Sequence, residues 1–251
     1  MITRKYDNIE LNIFQTRFEM GQKAASDAAS CIKKLLEEKE YINCIFAAAP
    51  SQNDFLAALV QDQTIDWSRI NAYHMDEYVG LKQGSEKSFS GFLNNSIFNK
   101  VSFKSVSLID GKNSQKEELA RYSKLLNDNI VDIVFMGIGE NGHIAFNDPS
   151  VADFNDPYMF KKVELEESCR IQQVNDKCFD TINDVPKFAY TITIPGLMRA
   201  QYAFCIVPTK LKAKAVKETL EGKVNTSCPA TILRKHKNIL MYIDTDAASL
   251  L

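Results

Sequence analysis

The chain has 251 residues, of which 45% are hydrophobic and 25% charged, proportions typical of a globular protein rather than a disordered one. Its 30 basic and 32 acidic side chains leave a net charge of −2, which argues against a nucleic-acid-binding protein with its basic excess. No apolar run approaches the roughly 18 residues that span a bilayer, and Met1–Glu10 lacks the apolar core of a secretory signal. We therefore expect a cytoplasmic protein without nucleic-acid or membrane partners.

Short apolar runs alternate with stretches of helical spacing, and no repeat or linker interrupts them. In chain order the pattern predicts strands at Asn43–Ala49, Ile70–Met75, Val106–Ile109, Asp132–Gly137, Phe188–Ile194, Tyr202–Val207 and Asn238–Asp244. It predicts helices at Arg17–Glu38, Asp54–Gln61, Ser88–Phe98, Ser114–Leu126 and Lys210–Glu221. This order predicts one Rossmann-like α/β domain over residues 1–251, with a mostly parallel sheet and helices on both faces. Ligands of such sheets bind beyond the carboxyl ends of the strands.

A glycine-rich segment, Met136–Pro149, follows the strand that begins at Asp132. Three of the chain's ten glycines fall here: Gly137, Gly139 and Gly142. Glycine permits positive φ and a close approach of backbone N–H groups to a ligand. No helix opens after the glycines, so the segment differs from a dinucleotide-binding fingerprint. His143, with Asp148 five residues on, suits a general acid–base pair, and the alternative is a loop histidine with a structural hydrogen bond.

Two adjacent carboxylates, Asp76 and Glu77, end the strand that begins at Ile70. Either suits a general base, but successive side chains of an extended segment point in opposite directions, so only one is expected to face a substrate. An N-cap or a surface ion pair explains both residues equally well. For His74 the favoured interpretation is a half-buried histidine whose hydrogen bonds are satisfied.

Ser51 lies near the start of a predicted helix, where backbone N–H groups bind phosphate, although an ordinary N-cap explains it equally well. Lys210, which opens the last predicted helix, is a candidate counter-charge for such an anion. The nearby Lys212, Lys214 and Lys217 are interpreted as a solvated face.

The six cysteines include no CxxC pair and the three histidines are isolated, so the sequence shows no metal-ligand spacing. We interpret the cysteines as buried thiols in a reducing compartment, and we expect neither a metal nor a disulfide.

Two segments taken together, Asp76–Leu81 and Gly142–Pro149, resemble the glucosamine-6-phosphate deaminase (isomerase) family. The likeness continues through Val185–Thr191 and Glu221–Asn225, so it covers most of the chain. The resemblance implies a Rossmann-like fold and conversion of an amino-sugar 6-phosphate into a ketose 6-phosphate and ammonia. It also implies that the reaction needs no organic cofactor or metal.

The resemblance assigns roles to individual positions. Asp76 matches the general base that moves a proton between C2 and C1 of the open-chain sugar, His143 matches the residue that assists ring opening, and Asp148 matches its acidic partner. Lys210 matches a phosphate-binding lysine, and Lys177 falls where the family has a phosphate-binding arginine. The remaining candidates for substrate contact are Ser51, Glu77, Gly137 and Gly139.

Four features depart from the family pattern. Asn141 stands where the family has Asp, and an amide orients His143 but cannot stabilise an imidazolium as a charge does. Asp148 is one methylene shorter than the usual Glu. Ala48–Asn53 replaces a Gly- and Thr-rich phosphate loop, with Ser51 as the one matching hydroxyl. Thr191–Leu197 looks more like the corresponding stretch of 6-phosphogluconolactonases, which share the fold.

These departures leave two alternatives. A 6-phosphogluconolactonase-type hydrolase fits the fold, but Tyr78 occupies a position where lactonases commonly carry Arg. A non-catalytic sugar-phosphate sensor fits Asn141 and the altered loop, but the intact Asp76 argues against it. The sequence leaves open the oligomeric state and the configuration at C4 of the sugar. Because the chain ends soon after its last predicted strand, we expect no allosteric hexamer of the kind that carries a C-terminal extension.

Overall fold

An eight-stranded sheet lies at the centre of the computed structural model, which describes residues 1–251. In spatial order its strands are β1 (Ile2–Tyr6), β2 (Ile9–Phe14), β11 (Ile239–Asp244), β10 (Tyr202–Val207), β7 (Ile133–Met136), β3 (Ile42–Phe46), β4 (Ile70–His74) and β6 (Ser105–Ser107). Every neighbouring pair is parallel except the β1–β2 hairpin. The predicted mostly parallel sheet is therefore confirmed.

Seven α-helices accompany the strands: α1 (Arg17–Glu38), α2 (Asn53–Leu59), α3 (Phe89–Leu93), α4 (Gln115–Asp128), α5 (Glu167–Asn175), α6 (Ile194–Met198) and α7 (Ala213–Glu221). Alternate residues of the central strands belong to two separate hydrophobic cores. On one face Phe46 and Phe135 pack with apolar residues of α1, α2 and α3. On the other face Ile45 and Val134 pack with residues of α4, α6 and α7. Helices thus cover both faces of the sheet, as the continuous apolar strands predict.

The longest helix, α1, has the bounds that its apolar spacing predicts. A capping box starts it, in which Glu19 N–H donates to Thr16 Oγ1 at 3.2 Å and Thr16 N–H donates to Glu19 Oε2 at 3.3 Å. Its buried stripe includes Met20, Ala24, Ala28, Ile32 and Leu35.

A second sheet corrects one prediction. The predicted strand at Phe188–Ile194 exists as β9 (Phe188–Ile192), but it pairs antiparallel with β5 (Asp76–Tyr78) and β8 (Phe160–Glu164) in a three-stranded sheet outside the parallel one. Six elements are not predicted by the sequence pattern: β1, β2, β5, β8, α5 and α6. These elements are short or partly exposed and lack a continuous apolar run, so hydrophobic periodicity gives little signal for them.

The order of the strands places a crevice between β3 and β7. From β3 the chain adds β4 and β6 on one side, and it then returns to add β7, β10 and β11 on the other. The loops that leave the carboxyl ends of β3 and β7 therefore diverge, and open α/β sheets bind ligands at this point.

All six cysteines are free thiols, and four of them are buried: Cys44, Cys169, Cys205 and Cys228. No helix combines the length and the apolar composition needed to cross a bilayer.

The contact between α1 and α2 depends on Gly21. A methyl group at this position would lie 2.6 Å from Asp54 Cβ and 2.9 Å from the Phe55 backbone nitrogen. Replacing a helical glycine by alanine normally stabilises a helix by about 1 kcal/mol. Here the obstructing atoms belong mainly to the backbone of the neighbouring helix, and overpacking of this kind costs about 1–3 kcal/mol.

We therefore expect Gly21→Ala to lower the free energy of unfolding, measured by urea denaturation, despite the gain in helix propensity. Gln22→Ala, on the exposed side of the same helix, is the matched control and should change stability little. A more stable Gly21→Ala protein would show that the two helices are not in close contact.

Candidate active site

A cavity of about 210 Å³ opens at the carboxyl edge of the parallel sheet. Residues that follow β3, β4, β7 and β10 line it, and α5 adds one wall. The main lining segments are Ala47–Ser51, Met75–Asp76, Gly137–Gly139, Pro208–Thr209 and Leu211–Lys212, with Gln172 and Gln173 from α5 and Asp176 just after it. The predicted candidates Asp76, His143, Ser51, Gly137 and Gly139 all line this one cavity.

The carboxyl group of Asp76 lies at the cavity wall and is 6% exposed. Backbone pairing of Asp76 with Thr191 in the small sheet fixes its position, and no protein group donates a hydrogen bond to the carboxylate. Burial, and then the nearby charge of Glu77, raise the pKa of Asp76 well above its ordinary value. A carboxylate in this environment accepts a proton more readily than one in water.

Glu77 faces the opposite way and is completely buried. Tyr78 and Phe89 donate backbone N–H groups to Oε1 at 2.9 and 3.0 Å, and Ser90 donates its N–H and hydroxyl to Oε2 at 2.9 and 2.8 Å. Glu77 is absent from the cavity lining, so the expected contact with a substrate is corrected. The pleat of β5 turns it instead toward the start of α3, where it binds free N–H groups as a cap does.

His74 is also structural. Its Nε2 accepts the Ile109 N–H at 2.8 Å, and burial lowers its pKa to about 3, so the ring is neutral. The prediction of a half-buried histidine with satisfied bonds is correct only for Nε2, because the ring is fully buried and Nδ1 has no hydrogen-bond partner.

His143 reaches the cavity from the glycine-rich loop after β7. Its Nδ1 lies 2.9 Å from Oδ1 of the fully buried Asp148. Burial raises the pKa of Asp148, but the contacts with His143 and Asn141 lower it by a larger amount. The pKa of Asp148 therefore lies below its ordinary value. The carboxylate of Asp148 behind the imidazole orients the ring.

Asn141 lies behind this pair and outside the cavity lining. Its Nδ2 donates to Asp148 Oδ1 at 3.0 Å, and its Oδ1 accepts the His143 backbone N–H at 3.0 Å. Asn141, which the sequence predicts to orient His143, therefore contacts both members of the pair without lining the cavity.

The glycines of this loop permit close packing of side chains. A methyl group on Gly139 would lie 2.2–2.4 Å from three atoms of the His143 ring, so only glycine leaves room for the imidazole. Gly142 has a φ of +83°, which favours glycine. At Gly137 the added carbon would lie 3.2 Å from Ser51 Oγ, which shows how closely the loops after β3 and β7 approach.

The positive charge of the cavity comes from residues that the sequence analysis did not select. Lys212 is buried and lines the cavity, whereas Lys210 and Lys177 are exposed and do not. The expectation that Lys210 and Lys177 bind the phosphate is therefore corrected. The interpretation of Lys212 as part of a solvated face is corrected as well. A 3₁₀ turn at Lys210–Lys212 precedes α7, so helical spacing over the whole stretch does not give the direction of each lysine.

Arg17 is a second cation at the cavity wall. Its Nη2 donates to the Pro50 carbonyl at 2.8 Å, and its Nε contacts the Asp54 carboxylate. The residue comes from the first turn of α1, far in sequence from every strand end that the analysis considered.

Gln52, also missed, ties the loop after β3 to its neighbours. It is 1% exposed, and its Nε2 lies 3.4 Å from the Met136 carbonyl and 3.3 Å from that of Ile206. Three parallel strands are therefore linked beneath the cavity by one amide.

One group of side chains brings together metal-ligating atoms within 4.8 Å of one another: His143, Asp148 and Cys169. Burial, and then Asp148, raise the pKa of the Cys169 thiol well above its ordinary value, which disfavours the thiolate that a metal requires. The contact of His143 with Asp148 at 2.9 Å accounts for the proximity of these two groups.

Comparison with known proteins identifies the family. Residues 15–242 match the family model described as glucosamine-6-phosphate isomerases/6-phosphogluconolactonase. The chain belongs to this family. A glucosamine-6-phosphate deaminase of Listeria welshimeri is 35% identical over 211 residues, which are 84% of this chain and 88% of the relative. Another of the same name from Bacillus cereus is 36% identical over 233 residues, 91% of this chain and 87% of the relative.

Solved structures of the glucosamine-6-phosphate isomerase/6-phosphogluconolactonase family share the fold. A monomeric glucosamine-6-phosphate deaminase superimposes with a TM-score of 0.86 and 29% identity, covering 96% of this chain and 99% of that one. The 6-phosphogluconolactonase of Thermotoga maritima gives a TM-score of 0.77 at 17% identity, covering 94% and 99%.

The corrected role of Glu77 leads to a test of stability. In Glu77→Gln one of the two oxygens that accept hydrogen bonds becomes an NH₂ group, which faces buried donors. Because unsatisfied buried groups cost about 1–3 kcal/mol each, we expect the free energy of unfolding to fall by about 2 kcal/mol. Chemical denaturation measures the change, and Glu86→Gln, exposed in the same connection, is the control. Equal stability of the two variants would contradict the capping role.

Proposed function

We propose that this chain is a glucosamine-6-phosphate deaminase, which converts the amino-sugar 6-phosphate and water into a ketose 6-phosphate and ammonia. The observation that carries the proposal is the shared cavity of Asp76 and His143, with the ammonium group of Lys212 in the same lining. A proton acceptor, an imidazole and a cation are what the substrate's C2 carbon, its ring oxygen and its phosphate require. The names of the relatives at 35–36% identity support glucosamine as the sugar.

In the proposed mechanism Asp76 acts as the base. It removes the proton from C2 of the open-chain aldose, and the C–H electron pair forms the C1=C2 double bond. The carbonyl pair moves onto O1, which takes a proton from water and gives the enolamine. The same carboxyl group returns the proton to C1, which leaves an imine at C2 that water hydrolyses to the ketone and ammonia. The burial of Asp76 and the absence of a donor at its carboxylate suit a group that must take up a proton and then release it.

His143 serves the earlier step, the opening of the pyranose ring. Ring opening moves a proton from the C1 hydroxyl to the ring oxygen, and an imidazole carries out this transfer at neutral pH. Asp148 holds the ring through Nδ1, which leaves Nε2 for the sugar.

The phosphate is assigned to the cationic part of the cavity. Lys212 contributes a buried ammonium group, and Arg17 and Ser51 line the same space beside the turn that follows β3. Burial lowers the pKa of Lys212, while Asp176 and Glu140 raise it to a smaller extent. A bound phosphate dianion would offset the cost of burying this charge.

The lactonase alternative receives less support. The relatives that cover most of the chain at 35–36% identity are named as deaminases, whereas the lactonase structure at 17% identity supports only a common fold. The monomeric deaminase structure further supports a form of the enzyme that acts without a hexamer.

The first test is release of ammonia from the 6-phosphates of glucosamine, galactosamine and mannosamine, with 6-phosphogluconolactone hydrolysis assayed beside them. We expect ammonia from glucosamine 6-phosphate and no rapid lactone hydrolysis. The reverse result would replace the proposal by the lactonase, and binding without turnover would replace it by a sensor.

Asp76→Asn should lower kcat by roughly 10²–10⁴-fold, the range that a general base contributes. In the wild type, activity should fall as the pH falls through the raised pKa of Asp76, because the base must be ionised. A raised folded-state pKa means that ionised Asp76 destabilises the fold above that pKa, so the amide should keep or raise thermal stability. Asp128→Asn, on the surface of α4, is the control. An active Asp76→Asn enzyme would refute the assignment of the base.

The phosphate assignment is tested by a pair of lysine variants. Lys212→Met removes a buried charge-assisted hydrogen bond worth about 1.5–3 kcal/mol, so KM should rise roughly tenfold or more. Lys210→Met, two residues away and exposed, should leave KM unchanged. Initial rates over a range of substrate concentrations distinguish the two, and a larger effect at Lys210 would reverse the assignment.

A further inference from the structure

The amide group of Asn141 lies between two carboxylates. Its Nδ2 is 3.0 Å from Asp148 Oδ1 and 3.5 Å from Oε2 of Glu166. The two hydrogens of one NH₂ group can therefore serve two acids that belong to different segments of the chain. An aspartate at position 141, the residue that the family pattern has there, would place three carboxylates together with no donor between them.

Glu166 connects α5 to the loop that carries His143. It occupies the N-cap position of α5, and its backbone N–H lies 3.4 Å from Asp148 Oδ2. Its Oε1 accepts the Ser150 backbone N–H at 2.8 Å. One residue thus contacts the loop through Asn141, through Asp148 and through Ser150.

The charges around Asp148 are few. The titratable groups nearest Asp148 are His143 and Cys169, whereas Glu166 touches it only through its backbone N–H. The charges of Asp76, Glu166 and Lys212 act on Cys169 from farther away. The Cys169 thiol is neutral because burial, first of all, raises its pKa well above the ordinary value. The second negative charge behind His143 therefore comes from Glu166.

We infer that Glu166 is a positioning residue for His143, which acts through the Asn141 amide and supplies the charge that the family's aspartate would supply at position 141. In this chain the amide is next to Asp148, and the acid stands one contact farther away. Glu166 touches no substrate. The inference concerns the same site as the proposed deaminase activity and rests on that function.

The order of the amide and the acid can be reversed by substitution. In Asn141→Asp, three carboxylates meet without a donor, so kcat/KM should fall roughly tenfold and the acid limb of the pH–rate profile should move to higher pH. In Glu166→Gln, an NH₂ group faces the NH₂ group of Asn141, and the acid limb should move to lower pH. In the double variant the new amide at position 166 donates to the new carboxylate at position 141, so activity and profile should return toward those of the wild type. Glu167→Gln, exposed in the next position, is the control.

A second readout does not depend on the substrate. The protein has three histidines, so NMR of ¹³C-labelled histidine follows the titration of the His143 ring. Its midpoint should move to higher pH in Asn141→Asp, to lower pH in Glu166→Gln, and back in the double variant.

Losses that simply add in the double variant, or a His143 midpoint that none of the three variants moves, would overturn the positioning role. A wild type that releases no ammonia, yet shows the expected movements of the His143 midpoint, would refute the proposed function and leave the positioning role standing.

Discussion

The site depends on the pleat of one three-residue strand, β5, which sends two adjacent carboxylates in opposite directions. Glu77 receives three hydrogen bonds from the start of α3 and one from the Tyr78 N–H, and its role is structural. Asp76 receives none and faces the cavity. Because backbone pairing with β9 fixes the strand, the carboxylate of Asp76 keeps its position without the side-chain contacts that would lower its basicity.

At His143, likewise, one part of the residue is held by its neighbours and another part is free to react. Gly139 leaves space for the ring, while Asp148 and Asn141 hold its Nδ1 side and its backbone. The other side of the imidazole remains free for chemistry. The loop after β7 supplies the groups that hold the ring, and Glu166 at the start of α5 contacts that loop. The orientation of the ring therefore depends on how these two segments pack together.

The sequence predicts those parts of the fold that repeat a pattern. The bounds of α1 and the presence of six parallel strands, β3, β4, β6, β7, β10 and β11, follow from hydrophobic periodicity. The strand-end rule locates Asp76 and His143 at one edge of the sheet. The sequence does not predict the direction of individual side chains, because residue spacing alone does not determine it. Lys210 and Lys212 differ by two residues within a 3₁₀ turn, and only the local backbone decides which one enters the cavity. Arg17 lies at the start of a helix, where no strand end draws attention to it.

The two borders of the large sheet end in strands that offer little to another chain. At one border β1 is almost wholly exposed and carries Arg4 and Lys5, and at the other β6 has only three residues. Unpaired backbone groups on such strands form a weak template for pairing, since charge and shortness both oppose the addition of a further strand. The architecture that gathers the reactive groups at the carboxyl edge thereby also limits edge-to-edge aggregation.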